Sequence, residues 1–344
     1  MQKVFLVSYN GLANSGGVEK VCNYLNEIIN DDLRRIIIVD KDLIKKSWYG
    51  GIYKSIFGKI HIISFTLMSS LYIMLNRRKG DIKIAHGFNS PFFKTDYLFV
   101  HGTMQGYINK VGQKINFASK ILIWLEKKAV KNADVILCVS KNAINEVREY
   151  YSQQIARYYI VNNGVDDAVF YPIEKNRFDN ILSILYCGRL DYGKGVDKIL
   201  DLAKNIEKTE NFRLVIACNN QNNIKLFEGL KNTTIHVGVT VSKMNEFYNS
   251  GDILFFPSMY EGFEMVTLES LSAGIPVIGN NVGAISELIR LGEPGVELID
   301  FDNILDQIKR ITSEYQTRKD FLHDNYKSKY GLEVYKNKLN DIIA

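Results

Sequence analysis

Four side chains in this 344-residue sequence have the types and spacing to act together on one ligand: Arg189, Lys194, Glu261 and Glu269. The two acids lie in DILFFPSMYEGFEMVTLESLSAG, Asp252 to Gly274, with seven residues between them. Carboxylates accept hydrogen bonds from hydroxyl groups, so a sugar is a natural partner for such a pair. Arg189 and Lys194 bracket a glycine-bearing loop, Gly188 to Gly195. There the planar fork of arginine and the point charge of lysine can neutralise a diphosphate. Taken singly, each of these residues also fits an ordinary solvated surface turn.

The elements that must position them follow from hydrophobic periodicity. Asp252 to Ser258 reads as a buried strand, a short unbroken apolar run ending at Pro257 and Ser258. Met259 to Phe263 is a loop, and from Glu264 the period turns helical, with Met265, Leu268 and Leu271 on one face until Gly274. Glu261 then sits in a strand-to-helix loop and Glu269 on the second helical turn. In an open parallel sheet such loops lie at the ligand-binding ends of the strands, and free helix N–H groups there attract phosphate.

The same strand, loop and helix order recurs along the chain. Lys3 to Tyr9 reads as a strand, followed by the loop Asn10 to Gly17 and a helix carrying Val18, Val21, Cys22 and Leu25. Gly16 and Gly17 would let the backbone approach a phosphate or sugar, or simply make a tight turn, and the GxGxxG fingerprint is absent. Strands are expected at Arg34 to Val39, Asp81 to Ala85 and Tyr97 to Val100, the last two ending at His86 and His101. A long helix is expected from Gln113 to Ala133, then a strand Asp134 to Ser140, a helix Ala143 to Tyr151 and a strand Tyr158 to Val161. Periodicity fades between Asp166 and Asn180, which suits an interdomain linker. The second half restarts with Ser183 to Cys187, a helix from Val196, Phe212 to Cys218, Thr234 to Val237, a helix near Lys243 to Asn249, and Ile275 to Gly279. Thr317 to Ala344 is helical and polar. The chain is α/β, with two domains expected from its length.

Composition narrows the function classes. A net charge of +5 is mild for this length and does not imply nucleic-acid binding. Cys22, Cys138, Cys187 and Cys218 show neither a CxxC nor a zinc spacing, and read as reduced, buried residues of a cytosolic protein. The most apolar stretch, Ile60 to Leu75, is shorter than the ~20 residues a membrane span needs and reads as a core element. The amino terminus fits a strand better than a signal peptide. The expected helix Gln113 to Ala133 mixes Lys114, Lys120, Lys127, Lys128 and Lys131 with Ile121, Leu122, Trp124 and Leu125. That combination suits an anionic membrane surface, and equally a covering helix with a solvated basic face.

Together the segments SGGVEK, FVHG, VSKN, VNNGVD, CGRLDYGKG and EGFEMVTLESLSAGIPV resemble the GT-B retaining glycosyltransferases of the large family 4 type. The resemblance runs along almost the whole chain, and its last two segments are the specific ones. It implies two Rossmann-like domains facing across a cleft: an acceptor-binding domain over 1–170, a nucleotide-sugar-binding domain over 181–325, and a C-terminal helix, 326–344, crossing back to the first. By the resemblance, Gly188, Arg189 and Lys194 hold the donor diphosphate, aided by Gly16 and Gly17 and by backbone near Gly262, Phe263, Met265 and Val266. Glu269 would bind the ribose hydroxyls, Glu261 hydroxyls of the transferred sugar, and His101 the region of its anomeric and 6-hydroxyl groups. His86 matches less well and is not assigned a catalytic role.

The implied reaction transfers a hexose or N-acetylhexosamine from a nucleotide sugar, UDP-linked rather than GDP-linked, to a lipid-linked or surface-polysaccharide acceptor such as an O-antigen or capsule intermediate. The enzyme would be cytoplasmic or peripheral on the inner face of the plasma membrane. Configuration is retained in the family, and preorganised cations make a metal or other cofactor unnecessary. Three other readings compete. A non-catalytic GT-B scaffold would support a partner transferase. A nicotinamide-dependent dehydrogenase lacks its glycine fingerprint. A metal-dependent GT-A enzyme would rest on Asp40 and Asp42 alone. Glu264, at a position often small in the family, would either recognise a sugar substituent or cap the helix.

Overall fold

A computed structural model describes residues 2–12, 16–29, 34–47, 50, 61–151, 156–174, 180–219 and 221–343. It divides into two compact units, Met1–Asn163 with Tyr335–Ala344, and Gly164–Val334. Parts of the expected loop Asn10 to Gly17, of the linker Asp166 to Asn180 and of Ile60 to Leu75 lie outside the described residues.

The first unit holds β1 (Gln2–Val7), α1 (Gly17–Ile29), β2 (Arg34–Val39), α2 (Lys41–Lys46), α3 (His61–Asn76), β3 (Ile82–His86) and β4 (Thr95–Val100). It continues with α4 (Met104–Val111), α5 (Phe117–Lys131), β5 (Ala133–Cys138), α6 (Lys141–Tyr151) and β6 (Arg157–Ile160). Its six strands pair in the order β2-β1-β3-β4-β5-β6, every pairing parallel. Val4 to Val7 and Ile136 to Cys138 are buried, as strands covered on both faces must be.

The second unit repeats the plan. It has β7 (Leu182–Cys187), α7 (Val196–Ile206), β8 (Phe212–Cys218), β9 (Thr233–Val237), α8 (Met244–Asn249), β10 (Ile253–Phe256) and α9 (Met265–Ser272). Then come β11 (Val277–Gly279), α10 (Gly283–Leu291), β12 (Val296–Leu298), α11 (Ile304–Tyr315) and α12 (Lys319–Tyr330). Its parallel sheet runs β12-β11-β10-β7-β8-β9, so β7 and β10 lie side by side at the centre. The strand order reverses there, and loops after adjacent strands at such a reversal bind ligands. The last helix, α13 (Leu332–Ile343), returns its Tyr335 to the first unit, edge-on to Tyr24 at 5.9 Å, and its Lys336 pairs with Glu27 at 2.9 Å.

One sequence expectation needs correction. The helix expected from Gln113 to Ala133 is shorter, because Gly112 ends α4 in the left-handed conformation (φ 69°) and Asn116 caps α5 by accepting from the Ser119 N–H at 2.9 Å. Lys114 therefore lies in the connecting loop, outside the helix assigned to Lys114–Lys131. The pair Asp40 and Asp42 is a cap: Asp40 Oδ1 accepts from the N–H groups of Asp42 and Leu43, and Asp42 pairs with Lys45 at 3.0 Å.

Candidate functional site

β10 ends at Phe256 against the centre of the sheet, and the chain must then turn outward through Pro257 to Glu264 before α9 begins. The loop after β7 is fastened to that turn. Gly193 carbonyl accepts from the Met259 N–H at 2.9 Å, and the Ser258 hydroxyl oxygen lies 3.2 Å from it. Gly195 sits at φ 75°, and a Cβ there would meet Pro257 O at 2.3 Å, so the close approach requires glycine. Asp191 closes the loop by accepting from the Lys194 N–H at 3.1 Å.

This clamp brings Lys194 to Glu261. The ammonium forms an ion pair with Glu261 Oε1 and lies over the Phe256 ring, 5.6 Å from its centroid. Ser258 donates its hydroxyl to the same carboxylate oxygen at 2.7 Å. Both partners are largely withdrawn from solvent, so the pair is better defined than a surface salt bridge. Arg189 is 60% exposed, with its Nε 3.1 Å from Asp191. An ion pair that open to water stabilises little, and the guanidinium can exchange Asp191 for a phosphate at small cost. The sequence picture of two cations awaiting a dianion thus changes in one respect, since each cation rests on a carboxylate.

α9 presents its free amino end beside this pair. Glu264 stands at its N-cap, with a carboxyl group that is occupied: Thr267 donates its hydroxyl to Oε1 at 2.7 Å, and the Ala284 N–H of α10 donates to Oε2 at 2.8 Å. Glu264 therefore joins the starts of two helices. Burial first, then the neighbouring Glu261 carboxylate, push its pKa from 4.5 up to about 7.

Glu269 is 4% exposed, and its Oε2 accepts from the Tyr248 hydroxyl at 2.8 Å. Tyr248 is wholly buried, and burial followed by the Glu269 charge raises its pKa well above the usual value, so it keeps its proton and donates. The Phe263 ring is buried against Tyr330, 6.4 Å between centroids, which leaves only backbone at that position to meet a ligand. Gly188, Arg189, Lys194, Glu261, Gly262, Met265, Val266 and Glu269 all belong to the second unit.

Gly16, Gly17 and His101 belong to the first unit. Gly17 opens α1, and a Cβ on Gly16 would meet Glu19 Oε2 at 2.8 Å. His101 hydrogen-bonds His86, Nε2 to Nδ1, at 2.9 Å. Sequence reasoning misses Tyr248, Ser258, Asp191 and Thr267, whose partners are fixed by tertiary contacts. It also leaves out His86, although its place at the end of β3 is an available signal. Among the described residues no group of three or more His, Cys, Asp or Glu side chains could hold a metal ion.

Two doubly wound domains, one with a cationic loop clamped against an acidic turn and a helix N-terminus, define the GT-B architecture. The family comparisons agree. The model of "Glycosyl transferases group 1" matches residues 182–314, and that of "Glycosyltransferase Family 4" matches residues 37–169. The chain belongs to these glycosyltransferases. It is 21% identical to the amylovoran biosynthesis glycosyltransferase AmsD of Erwinia amylovora over 98% of this chain and 99% of that one. An uncharacterised glycosyltransferase of Methanocaldococcus jannaschii, MJ1607, is 26% identical over 65% of this chain, and the match spans 62% of that relative's length. Among solved structures, sucrose-phosphate synthase of Thermosynechococcus elongatus superposes with a TM-score of 0.82 at 16% identity, covering 100% of this chain and 98% of that one. HepE of Anabaena, in complex with UDP and glucose, does so with a TM-score of 0.66 at 11% identity, covering 100% and 99%.

Proposed function

We propose that this glycosyltransferase retains anomeric configuration and moves a hexose or N-acetylhexosamine from a nucleotide sugar, UDP-linked rather than GDP-linked, to a lipid-linked or surface-polysaccharide acceptor. The observation that carries the donor half is the Lys194–Glu261 pair held at the mouth of α9 by the Gly193 clamp. Departure of a nucleoside diphosphate builds negative charge on phosphate oxygens while positive charge grows at the sugar carbon. Lys194 and Arg189 can take the phosphate charge together with the N–H groups of Met265 and Val266. Glu261, released from Lys194 as the diphosphate arrives, is then free to accept from sugar hydroxyls. Glu269, fixed by Tyr248, is suited to the two ribose hydroxyls. A departing phosphate oxygen takes the acceptor proton in a same-face attack, and the residues present supply the charge without a metal. HepE, which shares the fold, binds UDP and glucose, in keeping with a UDP-linked donor.

The acceptor half draws on AmsD, a polysaccharide biosynthesis relative aligned end to end, and on the surface of the first unit. Phe117 and Trp124 of α5 are exposed among Lys120, Lys127 and Lys128. α3 turns Ile62, Leu67, Met74 and Leu75 outward while burying Ser64, Thr66, Ser69 and Ser70. We assign the exposed aromatics and lysines of α5, together with the exposed apolar residues of α3, to the surface of an anionic bilayer on the cytoplasmic side.

A panel of nucleotide sugars screened for slow donor hydrolysis identifies the donor, and Arg189→Ala and Lys194→Ala should each abolish turnover with the fold intact and with chelator harmless to the parent. Full activity in either variant, or loss of activity with chelator, overturns the donor reading. Sedimentation with anionic vesicles tests the membrane face, and absence of binding at low salt removes it.

A further inference from the structure

The first unit contains a buried chain of polar groups that ends on His101. Cys22, on α1, places its sulfur 3.3 Å from His86 Nε2. His86 Nδ1 is 2.9 Å from His101 Nε2. Phe99 stacks on His86 with centroids 5.0 Å apart, and the two imidazoles lie within 16° of parallel. At the far end the Ser8 hydroxyl hydrogen-bonds the Cys22 sulfur and draws the thiol pKa down, as a donor to sulfur does.

The number of protons available decides the direction of this chain. Burial pushes the Cys22 thiol up to about 12, so it stays protonated. Burial, and for His86 also the neighbouring His101, lowers both imidazoles, His101 to about 4 and His86 well below its usual value, so both are neutral near pH 7. A neutral imidazole carries one N–H and one lone pair. If the Cys22 sulfur accepts from Ser8, its own S–H has His86 Nε2 as its acceptor among the described residues. His86 must then carry its proton on Nδ1 and donate to His101 Nε2. His101 is left with its proton on Nδ1, the nitrogen that makes no hydrogen bond among the described residues.

We propose that Ser8, Cys22 and His86 form a one-way hydrogen-bond relay that holds His101 as a neutral imidazole donating from Nδ1. His86 is a positioning residue, acting through His101. A fixed Nδ1–H donor fits a sugar oxygen, whereas a lone pair at that nitrogen would need a hydroxyl proton instead. The consequence for turnover rests on the reading of His101 as a contact to the transferred sugar, and the tautomer does not.

The test is the imidazole nitrogen spectrum of the full-length, nitrogen-15-labelled protein. It has five histidines, and the His101 signals are assigned with His101→Gln. The expected wild-type result is a protonated Nδ1 and an unprotonated Nε2 on His101. Cys22→Ala removes the leading donor and should move the proton to Nε2, while Cys22→Ser, which keeps a donor, should not. Turnover in Cys22→Ala should fall roughly five- to tenfold in kcat with donor KM little changed, the equivalent of one ordinary hydrogen bond, and Cys22→Ser should restore it. A protonated Nε2 on wild-type His101, or an unmoved tautomer in Cys22→Ala, overturns the relay. A moved tautomer with unchanged kcat overturns the sugar contact and leaves the relay standing.

Discussion

Replacing Glu264 with glutamine isolates the charge of the acid that joins α9 to α10. The folded protein holds the Glu264 proton up to about pH 7, whereas an unfolded chain releases it near the usual 4.5. Between those values the folded state binds the extra proton. The stabilisation from the neutral acid is therefore complete below pH 4.5 and is lost as pH rises through 7. A gap of about 2.5 pH units corresponds to about 3 kcal/mol at 1.36 kcal/mol per unit. The substituted glutamine would keep the shape, with its amide oxygen able to accept from Ala284 N–H and its amide nitrogen able to donate to Thr267. Relative to the parent, Glu264→Gln should gain about 3 kcal/mol between pH 4.5 and pH 8. The assay is urea unfolding of both proteins at the two pH values, followed by far-UV circular dichroism. In a Trp48→Phe background the fluorescence of Trp124, which belongs to the first unit, marks that unit's transition and separates it from the one that carries Glu264. An equal difference at both pH values would refute the reasoning. It would mean that the Ala284 N–H and the positive end of α10 hold the carboxylate ionised against burial and against Glu261.

Other perturbations test neighbouring parts of the same structure. Tyr248→Phe removes a buried donor to Glu269 and should weaken nucleotide binding, read by calorimetry, by roughly 1–3 kcal/mol. Gly195→Ala forces a side chain into the left-handed region and against Pro257 O. It should lower the unfolding midpoint of the second unit and cost roughly 1–3 kcal/mol or more. His101, lowered to about 4 by burial, makes the folded state bind fewer protons than the unfolded chain between pH 4 and 6.5, so stability should fall as pH drops through that window. His101→Asn should flatten that slope by about one proton in urea titrations.

Much of this is legible in the sequence because parallel strands buried on both faces leave unbroken apolar runs. Leu182–Cys187 and Ile253–Phe256 stand where the runs place them, and the change of period at Glu264 marks the start of α9 within one residue. The sequence makes α5 too long because lysines and apolar residues continue across Gly112 to Asn116, and only the backbone conformation of Gly112 and the Asn116 cap divide them. α3 gives no amphipathic signal because its buried face is rich in hydroxyls that bond backward, Thr66 to the Ile62 carbonyl at 2.8 Å and Ser70 to the Thr66 carbonyl at 3.0 Å. Such a helix can bury serine at little cost, so apolar spacing no longer tells which face is inside.

The site divides along the same line. Residue types and the seven-residue interval are local properties, and it is their setting within EGF and LESLSAGIPV that singles out Glu261 and Glu269 as candidates. The partners are not local: Lys194 reaches Glu261 across 67 positions, Ala284 reaches Glu264 across 20, and Cys22 reaches His86 across 64. That difference explains why Glu264 is ambiguous in the sequence alone. At an N-cap, an acid bonds either its own helix or something outside it. In this fold the something outside is the start of α10, brought there because β11 pairs beside β10 and sets the next helix against α9. Gly283, at φ 54°, leaves room for it, since a Cβ would lie 2.1 Å from Glu264 Oε2. With both oxygens occupied, Glu264 has a structural part in shaping the turn. Of the acids on this turn, Glu261 is the one whose present partner, a lysine, is itself suited to a phosphate and can leave when one arrives.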